Sequence, residues 1–354
     1  GHIGYYGAGR IPIRKSGDGS VPYDGSTDDG EWTSFIPFDK LPHSFDPPSG
    51  IIVTANQRVV GQSYPYFLSH LWAQPYRARR IFDLLSAKPK LSTDDFRRIQ
   101  GDVYSIALVT FARAAAKSLK SVSEPGAVAT GSATDDKLRK FVADLETWDG
   151  LLIPDSRVAP LVSQMRTSFK QRVLNAALGA ELAKTYGWPG SDRLVDRIVA
   201  EQLREWLPKE NATYADLFRA SYEDARQVLS KSPGPDEAQW TWGNIYKVRF
   251  THPLAPAPFV GIQFTIAPLP QSGTAGSGAT VNVGPAVSMR LIADTSDWDK
   301  TLNGIPLGQS GLPNNAHWKD QLDDWRNVTP RALPFSKAAV ESATKAMVIL
   351  TPKS

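Results

Sequence analysis

The sequence predicts an α+β fold in which short strands at both ends of the chain frame a large helical excursion in the middle. Three observations carry that expectation. The first 74 residues are punctuated by Gly and Pro and hold short β-branched and aromatic runs, the pattern of strands and loops. From Pro75 to about residue 234, apolar residues recur at three- and four-residue spacing, the helical period. After the breaker cluster SPGPDEA, Ser232 to Ala238, apolar residues alternate with polar ones again. The chain accordingly divides into 1–74, core strands and the loop that carries the candidate site; 75–234, mainly helical; and 235–354, a return to the sheet with the C-terminal segment.

Each element has a local reason. Residues 1–14 alternate glycine with Ile3, Tyr5, Tyr6, Ile11 and Ile13, which predicts a strand and a bend. Residues 15–49, rich in Gly, Asp, Ser and Pro, predict a long loop carrying Trp32, Phe35, Phe38 and Phe45; loops of such length are usually functional or packed by their own aromatics. Ile51, Ile52 and Val53 follow the turn Pro47, Pro48, Ser49, Gly50 and predict a buried strand that delivers Asn56 to its end. Pro75 opens a helix through Ile81, Phe82, Leu84 and Leu85 that stops at Lys88 and Pro89. Ser92 followed by Asp95 resembles a capping box, and the helix it starts is expected to run to about Lys120. A Ser/Gly/Ala-rich linker at 121–134 precedes helices expected at about 135–147, 155–186, 191–206 and 212–230. Strands are expected at about 240–250, 260–266, 279–283, 287–293 and 346–350.

Composition excludes several classes. With 354 residues, 41% hydrophobic and 10% aromatic, the chain can bury a substantial core. It has no run of about 18 apolar residues that could span a bilayer, and no basic region leading into an apolar one, so no signal peptide is expected in it. The 40 Lys and Arg against 36 Asp and Glu give +4, with the signs mixed along the chain, which argues against nucleic acid as a partner. Zero cysteines exclude disulfides, thiol nucleophiles and cysteine metal sites. The five histidines lack ligand spacing, and His252 and His317 are read as structural hydrogen-bonding residues. QSGTAGSGAT at 271–280 lacks the Lys-Ser/Thr ending of a phosphate loop, and GQSG at 308–311 is not a nucleophile elbow. Asn211 and Asn327 begin glycosylation sequons, which matter only in a eukaryotic secretory host.

Two residues stand out in the stretch Gly50–Arg80. Asn56 carries a neutral amide that can donate to a developing oxyanion without itself titrating. An Asn at a strand end is more often a turn residue bonding its own backbone. Arg77 sits in a first helical turn, where a cation opposes the helix dipole, a mild hint that it has a partner elsewhere; the plainer reading is a solvated charge.

The segments GHIGYYGAGRIPIR and GEWTSFIPFDKLPHSFDPPSGIIVTANQRVVGQSYPYFLSHLWAQPYRARRI, with ATVNVGPAVSMRLIAD, GIPLGQSG and HWKDQLDDW near the other end, closely resemble the penicillin acylase (penicillin amidase) family of N-terminal-nucleophile hydrolases. The motifs bracket the chain in the family's order and are similar to the C-terminal portion of its β subunit. The resemblance implies a four-layer αββα sandwich whose strands come from more than one chain. It implies an amide hydrolase that removes the acyl group from a small acylated amine: a penicillin or other β-lactam, an N-acyl homoserine lactone or an acyl peptide. Attack comes from an N-terminal Ser, with its own α-amine as base, through an acyl-enzyme. Asn56 in TANQ matches the family's oxyanion Asn, and Arg77 in QPYR matches an Arg that orients it.

The departures from the family are also informative. The nucleophilic Ser is expected upstream of GYYGAGRIP, and this chain begins at Gly1, so the nucleophile and the α chain are expected on partner segments. No cofactor is implied. Relatives place a calcium-binding Asp just after the Tyr-Pro pair, where this chain has Leu68, which weakens the case for a structural calcium. A periplasmic or secreted location is implied by the resemblance alone. The competing expectation is an inactive binding or scaffold module that keeps the acylase fold.

Overall fold

Helices close their hydrogen bonds locally, and the middle of the chain bears that out. The computed structural model describes residues 1–123, 133–186 and 191–352. Strands β1 (Gly4–Tyr6), β2 (Pro12–Arg14), β3 (Trp32–Phe35) and β4 (His43–Phe45) precede helices α1 (Tyr76–Ser86), α2 (Thr93–Gln100), α3 (Ile106–Ser123) and α4 (Ala133–Thr147). Then come α5 (Val158–Leu178), α6 (Ala180–Thr185), α7 (Ser191–Glu201), α8 (Tyr214–Lys231) and the short α9 (Trp242–Ile245). The chain ends with β5 (Lys247–Val248), β6 (Leu269–Pro270), β7 (Arg290–Ile292), β8 (Leu302–Gly304), α10 (Leu322–Asn327), β9 (Arg331–Ala332) and α11 (Lys337–Ala343).

The capping box expected at Ser92 and Asp95 is formed, each side chain accepting the other's backbone N–H. Thr213 and Asp216 build a second one at the start of α8. The single helix expected from Ser92 to Lys120 is two. After Gly101 the Asp102 carboxylate is taken by Arg80 at 2.6 and 3.0 Å, and Tyr104 pairs with Leu151 in an isolated bridge. Ser105 Oγ donates to the Gly278 carbonyl at 2.6 Å. These tertiary bonds outweigh helix continuation. The helix expected over 155–186 breaks at Gly179, whose φ of 80° lies in the left-handed region. Most of the linker expected at 121–134 falls outside the described residues.

The main core belongs to the helical excursion. Its buried cluster runs from Leu108 to Trp242, and Phe111, Phe169 and Phe218 meet at its centre with ring centroids 5.1–5.7 Å apart. In the first 74 residues, by contrast, the buried apolar side chains are only Ile36, Leu41, Pro42 and Ala55, while Trp32, Phe38 and Phe45 lie exposed.

Strand expectations fared less well, because a strand needs a partner edge that local sequence does not specify. The loop expected over 15–49 contains β3 and β4, which fold back antiparallel on β2 and β1. Ile51, Ile52 and Val53 are only half-buried and enter no strand among the described residues. Around 240–250, Trp240 and Trp242 are buried against the helical core or its end and a helical turn replaces most of the strand, leaving only β5, paired with β6. Residues 261–264 form a 3₁₀ turn, 279–283 contain no strand, and 346–350 are exposed and unpaired among the described residues. The strand expected at 287–293 is present as β7, which joins β8 and β9 in the order β7-β8-β9. Among the described residues the sheets have two or three strands.

Two outcomes are expected of this framework. Phe218→Ala removes the ring that contacts both other phenylalanines and is expected to cost about 3–5 kcal/mol in denaturant unfolding. The second concerns Glu237, whose carboxylate accepts from Arg226 at 2.6 Å and Lys137 at 2.7 Å; these bonds pull it from 4.5 down to about 2. A depressed folded pKa contributes stability above the unfolded value that is lost as pH falls from 4.5 through about 2. Glu237→Gln is therefore expected to flatten the stability profile across that window, as read by urea titrations at several pH values.

Candidate active site

Asn56 owes its position to an unusual backbone. Its φ is 65°, a left-handed conformation that Asn adopts more readily than other side-chain-bearing residues. The Gln57 side chain braces the turn, its Oε1 accepting from Ala55 N at 2.6 Å and its Nε2 donating to the Val53 carbonyl at 2.9 Å. The Asn56 carbonyl then accepts from Ala73 N at 2.8 Å, which ties the turn to the chain just before α1. Sequence reasoning missed Gln57; an amide side chain directly after a turn Asn was the available signal.

Helix α1 begins immediately after Pro75, so Arg77 projects from its first turn. Its Nη2 donates to the Ala55 carbonyl at 2.7 Å and, by a short bond, to Asn56 Oδ1. Thus the two residues that the sequence singled out, 21 positions apart, are in contact. Because Oδ1 is occupied by Arg77, the amide's other end, Nδ2, is the end left to donate. Arg77 is half-buried, and desolvation lowers its pKa; no carboxylate pairs with it among the described residues.

Asn56 and Arg77 line a cavity of about 580 Å³. On the near side are Trp72, Gln74 and Tyr76; Gln74 Nε2 is buried with no partner among the described residues. The far wall is Asp192 and Arg193 of α7 with Ala275, Gly276 and Ser277. The Gly/Ser/Thr run 271–280 thus closes a cavity rather than cradling a phosphate. Its Thr274 and Thr280 bond across the loop, and Gly278, at φ 88°, packs where a Cβ would meet Leu108 at 2.6 Å. The long-range approach of α7 to α1 left no signal in the sequence.

The other sequence candidates lie elsewhere. His252 Nδ1 accepts from Leu254 N at 3.1 Å and its ring stacks on Phe264, while His317 Nδ1 pairs with Asp320 at 3.2 Å. Ser310 of GQSG accepts from Leu312 N in a turn. Leu68 is half-buried, and among the described residues no three His, Cys, Asp or Glu side chains gather as a metal site.

Comparison with known proteins agrees with the motif resemblance. The family model for penicillin amidase matches residues 1–342. The chain is 28% identical to the penicillin acylase 2 proenzyme of Pseudomonas sp. (strain SE83), over 97% of this chain and 44% of that protein. It is 26% identical to the acyl-homoserine lactone acylase QuiP of Pseudomonas syringae pv. tomato, over 99% of this chain and 45% of that protein. The chain therefore spans a little under half the length of these curated relatives. In fold it is similar to the thermostable penicillin G acylase from Alcaligenes faecalis, with a TM-score of 0.64 at 17% identity, covering 100% of this chain and 66% of that one. That likeness establishes a related mixed α/β fold with its large helical region.

Proposed function

Because the chain belongs to the penicillin amidase family, we propose that it is the part of an amide hydrolase that supplies the oxyanion-stabilising Asn56 and its orienting Arg77. The observation that carries this reading is the Arg77 bond to Asn56 Oδ1, which leaves Nδ2 as the donor at a cavity rim. The nucleophile, an N-terminal Ser, comes from a segment outside these 354 residues, together with the α chain. The same partner segments supply the strands that complete an αββα sandwich. The sparse burial in residues 1–74 and the exposed Met347, Val348, Ile349 and Leu350 support such an assembly, since exposed apolar runs call for cover.

In the proposed reaction the Ser hydroxyl attacks the substrate carbonyl while the α-amine of the same residue takes its proton. The tetrahedral oxyanion accepts from Asn56 Nδ2. Collapse expels the amine, which leaves with that proton, and water then releases the acid from the acyl-enzyme. Arg77 acts by orientation: its planar fork holds the amide oxygen and the Ala55 carbonyl together, so the donor end is presented without reorganisation. The substrate is a small acylated amine, such as a penicillin or other β-lactam, an N-acyl homoserine lactone or an acyl peptide; both kinds of acylase named above support that chemical class. A periplasmic or secreted location completes the reading; no described helix is long and apolar enough to cross a membrane.

The test is steady-state hydrolysis of a panel of acyl amides by the assembled protein, with N-terminal sequencing of every chain that co-purifies. A stoichiometric chain beginning with Ser, Thr or Cys and turnover of at least one amide are expected; a folded, solitary and inactive chain would favour a scaffold. Asn56→Gly is the informative substitution, because Ala at a φ of 65° adds strain of roughly 1–2 kcal/mol whereas Gly does not. Asn56→Gly is expected to lower kcat by roughly 10²–10³ with the thermal midpoint little changed. Normal turnover by that variant would remove Asn56 from the site.

A further inference from the structure

Behind the far wall of the cavity lies a buried cation with two carboxylates. Arg166 of α5 has a side chain only 2% exposed. Its Nη1 donates to Asp192 Oδ1 at 2.9 Å and to Ser277 Oγ, and its Nη2 donates to Asp196 Oδ1 at 2.5 Å and to the Asp192 carbonyl at 3.3 Å. Ser277 Oγ in turn donates to Asp192 at 3.1 Å, and Lys170 stands 3.5 Å from the same carboxylate oxygen. The hydroxyl of Tyr76, the residue before Arg77, is pushed up to about 12, first by burial and then by the Asp196 carboxylate. Burial alone would raise Asp192, but Arg166 and Lys170 outweigh it and hold the carboxyl below its ordinary range.

Asp192 shares the cavity with Arg77, a half-buried guanidinium whose bonds go to the neutral Ala55 carbonyl and Asn56 amide. A carboxylate is the stronger partner for a guanidinium, because it adds the attraction of opposite charges and can accept two parallel N–H bonds. Left uncompensated, the α7 carboxylates would compete for Arg77. We propose that Arg166 is a positioning residue for the acylase site: by engaging Asp192 and Asp196 it keeps them from capturing Arg77, which therefore stays on Asn56. The inference rests on the reading of Asn56 and Arg77 as the oxyanion pair. It also gives the helical excursion a role at the site, since α5 and α7 supply both the competing charges and the residue that restrains them.

The test uses the assembled acylase, with the wild type and Asn56→Gly as references. Arg166→Met takes the guanidinium from both carboxylates, leaving Asp192 only Lys170 and Ser277, and is expected to lower kcat by roughly 10²-fold with KM little changed, the size of effect that misplacement of a site group produces. Adding Asp192→Asn and Asp196→Asn to it removes the competing charges, and this triple variant is expected to recover about tenfold or more in kcat, or, if Arg166→Met fails to assemble, to exceed Asn56→Gly by about that factor. A merely structural role would give no such rescue. A folded Arg166→Met enzyme with wild-type kcat overturns the proposal, as does a folded triple variant no faster than Asn56→Gly. A crystal structure of Arg166→Met, or of Arg166→Lys if the former does not assemble, gives a readout apart from activity. In Arg166→Met Arg77 is expected to leave Asn56 Oδ1 for Asp192 or Asp196, and in the charge-retaining Arg166→Lys to stay on it; Arg77 unmoved in the first, or displaced in the second, overturns the proposal. If the wild type hydrolyses no amide, the acylase reading fails while the Arg77 position still decides this one.

Discussion

A half-buried guanidinium fastened to neutral oxygens is the constraint on which the rest of this structure turns. Arg77 reaches back from the first turn of α1 to the Ala55 carbonyl and the Asn56 amide, and it does so without a carboxylate among the described residues. A buried charge held this way is costly unless its surroundings prevent a better partner from reaching it. The backbone meets part of that demand: the left-handed turn at Asn56, braced by Gln57, presents two acceptors side by side.

The helical excursion meets the remainder. Its core of interlocking aromatics holds α5 rigid, and α5 carries Arg166 into contact with α7 and the loop at Ser277. The same loop is pinned to α3 through Ser105 and Gly278. A site built from residues at positions 56, 77, 192 and 277 therefore depends on packing among helices distant in sequence from Asn56. Side chains near the cavity have defined places because the scaffold behind them is a buried apolar cluster.

The two ends of the chain contrast with this. Their strands pair in twos and threes, Trp32, Phe38, Phe45 and Phe335 remain exposed although Trp318 and Trp325 are buried, and the run Met347 to Leu350 has no partner among the described residues. The sheet-forming ends and the helical middle thus sit at opposite extremes of self-sufficiency, in keeping with a family in which this chain matches a little under half of its relatives' length.

By itself the sequence determined the helical excursion, the capping box at Ser92 and the resumption of strand structure at β7, and it singled out Asn56 and Arg77, which the structure places in contact. The first two are legible because helical periods and caps are set by residues within four positions of one another. The pair was legible through motifs that resemble a family, since a turn Asn and a helix-start Arg would otherwise pass as ordinary. Only the tertiary structure decided that Ile51–Val53 stay unpaired, that the 92–120 helix breaks at Gly101, and that residues 32–35 and 43–45 become strands. It alone brought Asp192 and Ser277 across the cavity from Arg77. The physical reason is common to all of these: strand pairing and buried ion pairing join residues far apart in the chain, and their partners are chosen by packing, not by neighbouring sequence.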